Sequence, residues 1–218
     1  MMHLTDITGL AGVSLTIISI IFRLRFLARL QLHAKIGLTI GLLILLWVPL
    51  DGLSAAEFVR GVTGDFSLTS LILLALFLFL PRPVSGGRAN MGAETLLYHR
   101  SNFRPSRPPA RGKLLMLIVV AAFVLYPFAL GIGTFDPYRL GFGNLWFIAG
   151  LLLIALFAWF EQYTLIALSI SLAVLAWGIG WYESNNLWNY LIDPWVSVYA
   201  LGALVKKSIS RSPRYKLP

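Results

Sequence analysis

The 218-residue chain contains no cysteine. That absence excludes disulfides, thiolate catalysis, cysteine-ligated zinc and lipidation of a cysteine. Histidine is scarce, and His3, His33 and His99 are scattered along the chain outside its apolar runs, which gives no pattern for haem ligation or a histidine metal site. Glycine-rich phosphate loops, a serine-nucleophile elbow and an HExxH helix are missing too, so no cofactor or metal is expected. Dispersed residues would have to carry any enzyme chemistry.

Charge is the other deficit. Only 12% of residues are charged while 58% are hydrophobic, and mean hydropathy is +0.78; ordinary soluble domains run at roughly 25% and 45 to 50%. The charges gather between long apolar runs, the pattern of segments solvated by lipid and connectors solvated by water. The fold class expected is an all-α integral membrane protein with about seven transmembrane helices.

The runs are Leu4 to Phe22, Ile36 to Leu50, Phe66 to Leu80, Leu114 to Ile132, Asn144 to Phe160, Tyr163 to Tyr182 and the irregular Leu187 to Val205. They form one polytopic domain over 1–218, with three spans, a basic loop at 81–113 and four more spans. The N-terminus differs from a cleaved signal peptide, because Arg23, Arg25 and Arg29 follow the first run instead of preceding it. Leu53, Phe58 and Val62 suit a short helix lying in the interface. Gly37 and Gly41 have the spacing at which helix backbones approach closely in lipid, so both are expected to face another helix. Glu161 and Gln162 form the tip of a hairpin.

Alternating the connectors across a bilayer tests the span count. One side collects 16 of the 18 Lys and Arg residues, leaving only Arg60 and Arg139 on the other. Asp6, Asp51, Glu57, Asp65, Asp136, Glu183 and Asp193 fall opposite, and only Glu94 and Glu161 join the basic side. Positive charge marks the cytoplasmic face, giving N-out and C-in in a bacterial-type cytoplasmic (inner) membrane. Trp47, Trp146, Trp181, Tyr182 and Trp188 are expected at the outer interface and Trp159 at the inner one. The net charge of +9 then reflects topology and contact with anionic lipid, not nucleic acid.

Candidate chemistry lies outside. Asp136, Arg139, Glu183, Asn186 and Asp193 are candidate substrate- or ion-binding residues, suited to a cation, a polar head group or a sugar. Aspartate before proline equally suits a helix N-cap, at both Asp136-Pro137 and Asp193-Pro194. Glu161 reads as a relay group or as a loop residue. If Asp193 faces the bundle interior, Arg139 and Asn186 are its expected partners.

Three functions fit. The first is a non-catalytic accessory or scaffold subunit of a lipid, polysaccharide or envelope-assembly complex, with membrane lipids and a membrane-protein partner. The second is a small-solute or ion transporter or channel with an outward-facing acidic site, although the span centres offer mainly Ser14, Thr16, Ser169 and Ser171. The third is a membrane enzyme acting on a lipid-linked substrate, which requires the outer acids to converge on one pocket.

Overall fold

The computed structural model describes residues 4–22, 24, 27, 30–50, 52–79 and 109–211. Asp51, Arg23, Arg25, Arg29, nearly all of the central basic loop and the tail beyond Arg211 lie outside them, as does the short helix expected near Ala93 to His99. Among the described residues the fold is all-α apart from one small hairpin. Its helices are α1 (Leu4–Ile21), α2 (Leu32–Trp47), α3 (Ala55–Thr63), α4 (Leu68–Phe79), α5 (Pro109–Ala129), α6 (Leu145–Phe160), α7 (Thr164–Gly178), α8 (Trp188–Leu191) and α9 (Pro194–Arg211). A 3₁₀ turn spans Pro137–Gly141, and β1 (Pro49–Leu50) pairs antiparallel with β2 (Leu53–Ser54).

Seven long spans are not what the described residues contain. One helix, over Arg111–Ala129, is both long and apolar enough to cross a membrane by itself. Helices α3 and α4 pass that test only as a pair, and they are bent by 119°. Four further apolar helices, Asp6–Ile21, His33–Trp47, Leu145–Phe160 and Thr164–Gly178, have 10–17 residues each. The difference has two causes: some runs are themselves short, as where α6 fills Asn144 to Phe160, and elsewhere caps or turns divide the chain. Gly64, at φ 72°, ends α3 before the third run begins. Gly131 and Gly133 turn the chain after α5 with φ of 90° and 105°. The seventh run breaks at Ile192-Asp193 into the four-residue α8 and the longer α9.

Two buried clusters hold the helices. The larger joins Leu73 of α4 to Leu114, Ile118 and Leu125 of α5, Ile170 and Ala173 of α7, and Tyr190, Val196 and Ala200 near the C-terminal end. The smaller joins Leu10 and Ile18 of α1 to Leu46 of α2 and Ala56 of α3. Around them much of the apolar surface faces outward. Helix α6 exposes Leu145, Trp146, Leu153, Phe157 and Phe160 and buries only Ala155 and Ala158.

The short helix expected over Phe58 and Val62 exists as α3. Ser54 and Glu57 form a reciprocal capping box, and Leu53, Phe58 and Val62 are all exposed. The α6–α7 hairpin also forms, with exposed Glu161 closing α6 and Gln162 in the left-handed region at φ 63°. The expected glycine packing is overturned. A Cβ on Gly37 or on Gly41 would meet nothing within 4 Å, because α1 and α3 lie against other faces of α2. The aromatic expectation divides. Trp146 and Trp181 are exposed, whereas Tyr182 and Trp188 are buried, the latter because its indole N–H finds the Pro137 carbonyl at 2.9 Å.

Candidate functional site

The acidic connectors converge at one end of the helices. Arg60, on the last turn of α3, gathers three of them. Its guanidinium forms a two-pronged contact with Asp65, Nε to Oδ1 at 2.7 Å and Nη2 to Oδ2 at 3.2 Å. Its Nη1 reaches Asp6 of α1 at 3.1 Å, and Glu183 stands 3.7 Å from Nη2. A planar fork with five N–H donors suits several carboxylates at once. Arg60 thereby joins the starts of α1 and α4 to the loop after α7. The approach is close enough that a Cβ on Gly9 would collide with the Asp65 carboxylate and the guanidinium.

Three acids around one base leave an excess of negative charge. Part of it is relieved by sharing a proton: a hydrogen bond with Asp6 pushes the Glu183 carboxyl above the usual glutamate range, against the pull of Arg60. The Arg60 guanidinium is held protonated, first by its bond to Asp65.

Asp193 uses no cation. It is 5% exposed and sits between two helix N-termini. Its Oδ1 accepts the Val196 N–H at 2.8 Å, the N-cap bond for α9. Its Oδ2 accepts the Ser67 N–H at 2.8 Å and a short hydrogen bond from the Ser70 hydroxyl. Ser67 in turn caps α4, its hydroxyl accepting the Ser70 N–H at 3.2 Å. One carboxylate thus closes α9 while bonding to the start of α4, where both helix dipoles favour negative charge. Neither Arg139 nor Asn186 is its partner.

The remaining candidates are structural in their contacts. Asp136 caps the 3₁₀ turn, accepting the Tyr138 N–H at 2.9 Å. Arg139 is exposed on that turn. Asn186, 1% exposed, donates to the Tyr138 carbonyl at 2.9 Å and accepts the Trp188 N–H at 3.0 Å. Beside it, the Leu187 N–H reaches the Gly141 carbonyl at 2.9 Å. Gly141 must be glycine here, since a Cβ would overlap Asn186 Oδ1. Asp193 and Glu183 therefore belong to neighbouring polar clusters, and Asp136, Arg139 and Asn186 belong to a separate latch.

A recess of about 380 Å³ opens between these groups, lined in part by Asp65, Tyr138, Tyr182, Ser184, Asn189 and Asp193. Most of its polar atoms are engaged. The exception is the Tyr182 hydroxyl, buried and without a hydrogen-bond partner among the described residues. Such a group costs free energy unless something bonds it.

Sequence reasoning missed Arg60, Ser67, Ser70 and Tyr182. A signal for Arg60 was present: it is one of two basic residues on the acidic side, and an isolated base there calls for partners. The serines carried none, because a serine before an apolar run reads as a cap and not as a ligand of a distant acid. No family model matches the chain, and no match is found among curated proteins or solved structures.

Proposed function

We propose that this chain is a multi-pass protein of a bacterial-type cytoplasmic membrane, crossing it with seven segments, N-terminus out and C-terminus in. It serves there as a non-catalytic accessory or scaffold subunit of a lipid, polysaccharide or envelope-assembly complex. The observation that carries the reading is the saturation of the outer acids. Asp193 accepts three hydrogen bonds, Asp65 is paired through both oxygens, Asp136 is a cap, and the proton-sharing Asp6 and Glu183 line neither cavity, so among the described residues no acid and base pair is poised over a recess. An enzyme on a lipid-linked substrate would need such a pair.

Segregation supports the membrane part. Arg60, Asp6, Asp65 and Glu183 meet at one end. At the starts of α5 and α7, Arg111 bonds Tyr199 of α9 and Lys113 covers the Tyr163 ring. Between the ends, α2, α5 and α6 expose apolar side chains. The 16-residue α6 extends about 24 Å, short of a hydrocarbon core of about 30 Å. Flanking aromatics and local thinning of the bilayer accommodate that difference.

A transporter or channel remains the second reading, favoured by the recess and its unbonded Tyr182 hydroxyl. Against it, Ser14 accepts from Trp47 and Thr16 is bonded back to its own helix, although the buried Ser169 hydroxyl is unbonded among the described residues.

The absence of cysteine makes the topology test clean. Single cysteines at Ser184 and at the exposed Arg139 should react with a membrane-impermeant maleimide from outside, and one at Lys206 only after permeabilisation. Reporter fusions after Lys35, within 100–111 and after Arg211 should report cytoplasm, and fusions near Asp65 the other side. Both ends on one side would reject the seven-segment arrangement. Co-purification of a stoichiometric membrane enzyme supports the accessory role; solute flux by the chain alone in liposomes rejects it in favour of transport.

A further inference from the structure

A second cavity, of about 360 Å³, lies between α1, α3, α4 and α9 and shares Thr63 with the wall of the acidic recess. Its size is that of a small ligand pocket. The wall is formed by Ile17 and Ile20 of α1, Phe66, Leu73 and Leu74 at α4, and Trp195 and Val196 of α9. Five hydroxyls also line it, and four of them donate inside the protein. Thr16 donates to the Gly12 carbonyl, Ser19 to Leu15, Thr63 to Val59 and Ser70 to Asp193. A sugar or hydrated ion would therefore find its own polar groups unmatched, whereas a hydrocarbon chain loses nothing on entry.

The one charged residue of the lining is Arg111, at the start of α5. Its Nη2 donates to the Tyr199 hydroxyl at 2.7 Å. Among the described residues that is the one partner for its five donors, and no carboxylate pairs with it. Two further cations lie along the first turns of α5. A Cβ on Gly112 would lie 3.2 Å from Lys207 Nζ, and Lys113 Nζ stands 3.9 Å from the Tyr163 ring centre. An apolar cleft with four hydroxyls turned away and Arg111, which meets no carboxylate among the described residues, at its mouth is complementary to one class of molecule.

We infer that this cleft holds an acyl chain of an anionic phospholipid, whose phosphate meets Arg111 and Tyr199. The inference rests on the membrane reading above and adds a defined site to it. It places the head group at the basic end of the helices, which that reading assigns to the anionic inner leaflet.

The test uses the full chain purified in a mild detergent, titrated with dioleoyl phosphatidylglycerol or dioleoyl phosphatidylcholine, with bound lipid counted by native mass spectrometry. One phosphatidylglycerol should be retained in preference to phosphatidylcholine. Arg111→Gln should weaken that preference by about fivefold, the effect of one basic residue at an anionic surface, while Arg111→Lys should keep most of it. Leu74→Trp, which fills the cleft, should expel both lipids without lowering Tm by more than a few degrees. Equal retention of the two lipids, or an unchanged preference in Arg111→Gln, would overturn the anionic assignment. Undiminished binding by a folded Leu74→Trp protein would put the lipid elsewhere. These outcomes differ from a failure of the membrane reading, which would appear as protein that stays in solution without detergent.

Discussion

Two carboxylate sites lie side by side at one end of the helices and handle their charge by opposite means. Around Arg60, three acids share one guanidinium, and the cluster is partly wet: the Arg60 side chain is 16% exposed and that of Glu183 60%. At Asp193 the carboxylate is buried, and two backbone N–H groups with one hydroxyl take the place of a counter-ion. A cation brings Coulomb attraction that salt screens. Helix N-termini bring fixed dipoles and directional donors whose loss leaves buried groups unbonded. The first site tolerates rearrangement; the second does not.

The largest expected effect follows at Asp193. Asp193→Ala strands the N–H groups of Ser67 and Val196 and the Ser70 hydroxyl, and should cost about 3 kcal/mol or more, at roughly 1 kcal/mol or above for each buried donor left unmet. Denaturant unfolding in micelles measures it. Asp193→Asn should fall between the two, because its oxygen can still cap α9. Its amide NH₂ would then face the Ser67 N–H, donor against donor.

Arg60→Met should cost less, about 1 to 2 kcal/mol, between the values for exposed and buried pairs. The same unfolding assay at low and high salt sharpens the contrast. The Arg60→Met loss should shrink in salt and the Asp193→Ala loss should not. Equal salt dependence would remove the distinction between the sites.

Smaller again is Ser54→Ala at the α3 capping box, about 1 kcal/mol. Its visible effect should be faster hydrogen exchange in α3, with the larger core unchanged.

The smallest effect concerns pH. The Glu183 carboxyl is raised by its bond to Asp6, so its protonated form is favoured in the folded state. Its contribution is fully present below about 4.5, the ordinary glutamate value, and is lost as pH rises through the higher folded value. Glu183→Gln should flatten the stability profile in that window. A profile unchanged by the substitution would mean that Asp6 and Glu183 share no proton.

Much of this was legible in the residues. Aspartate before proline suited a helix start at Asp193, and three of the acids assigned to one side, Asp6, Asp65 and Glu183, meet at Arg60. Asp136 was readable as a cap because Asp-Pro specifies one locally. Arg60 stood out as an isolated base with Asp65 five residues on, but its role as a hub was not readable, since its other partners lie 54 residues earlier at Asp6 and in the Glu183 loop. Nor could Gly37 and Gly41 reveal their exposure, because spacing shows which residues share a face and not what lies opposite. Tyr182 read as an interface aromatic. Its burial depends on Tyr190, whose ring lies 5.0 Å away and whose hydroxyl accepts the Tyr182 N–H.

The central claim is that Asp193 is a joint between α4 and α9, held by donors rather than by a cation. A double-mutant cycle of Asp193→Asn and Ser70→Ala, read by equilibrium unfolding in micelles, addresses that bond alone. Residues sharing one hydrogen bond couple by about 0.5 to 3 kcal/mol. Coupling of about 1 kcal/mol or more, undiminished in high salt, is the result expected of the joint. Strict additivity of the two substitutions would contradict it.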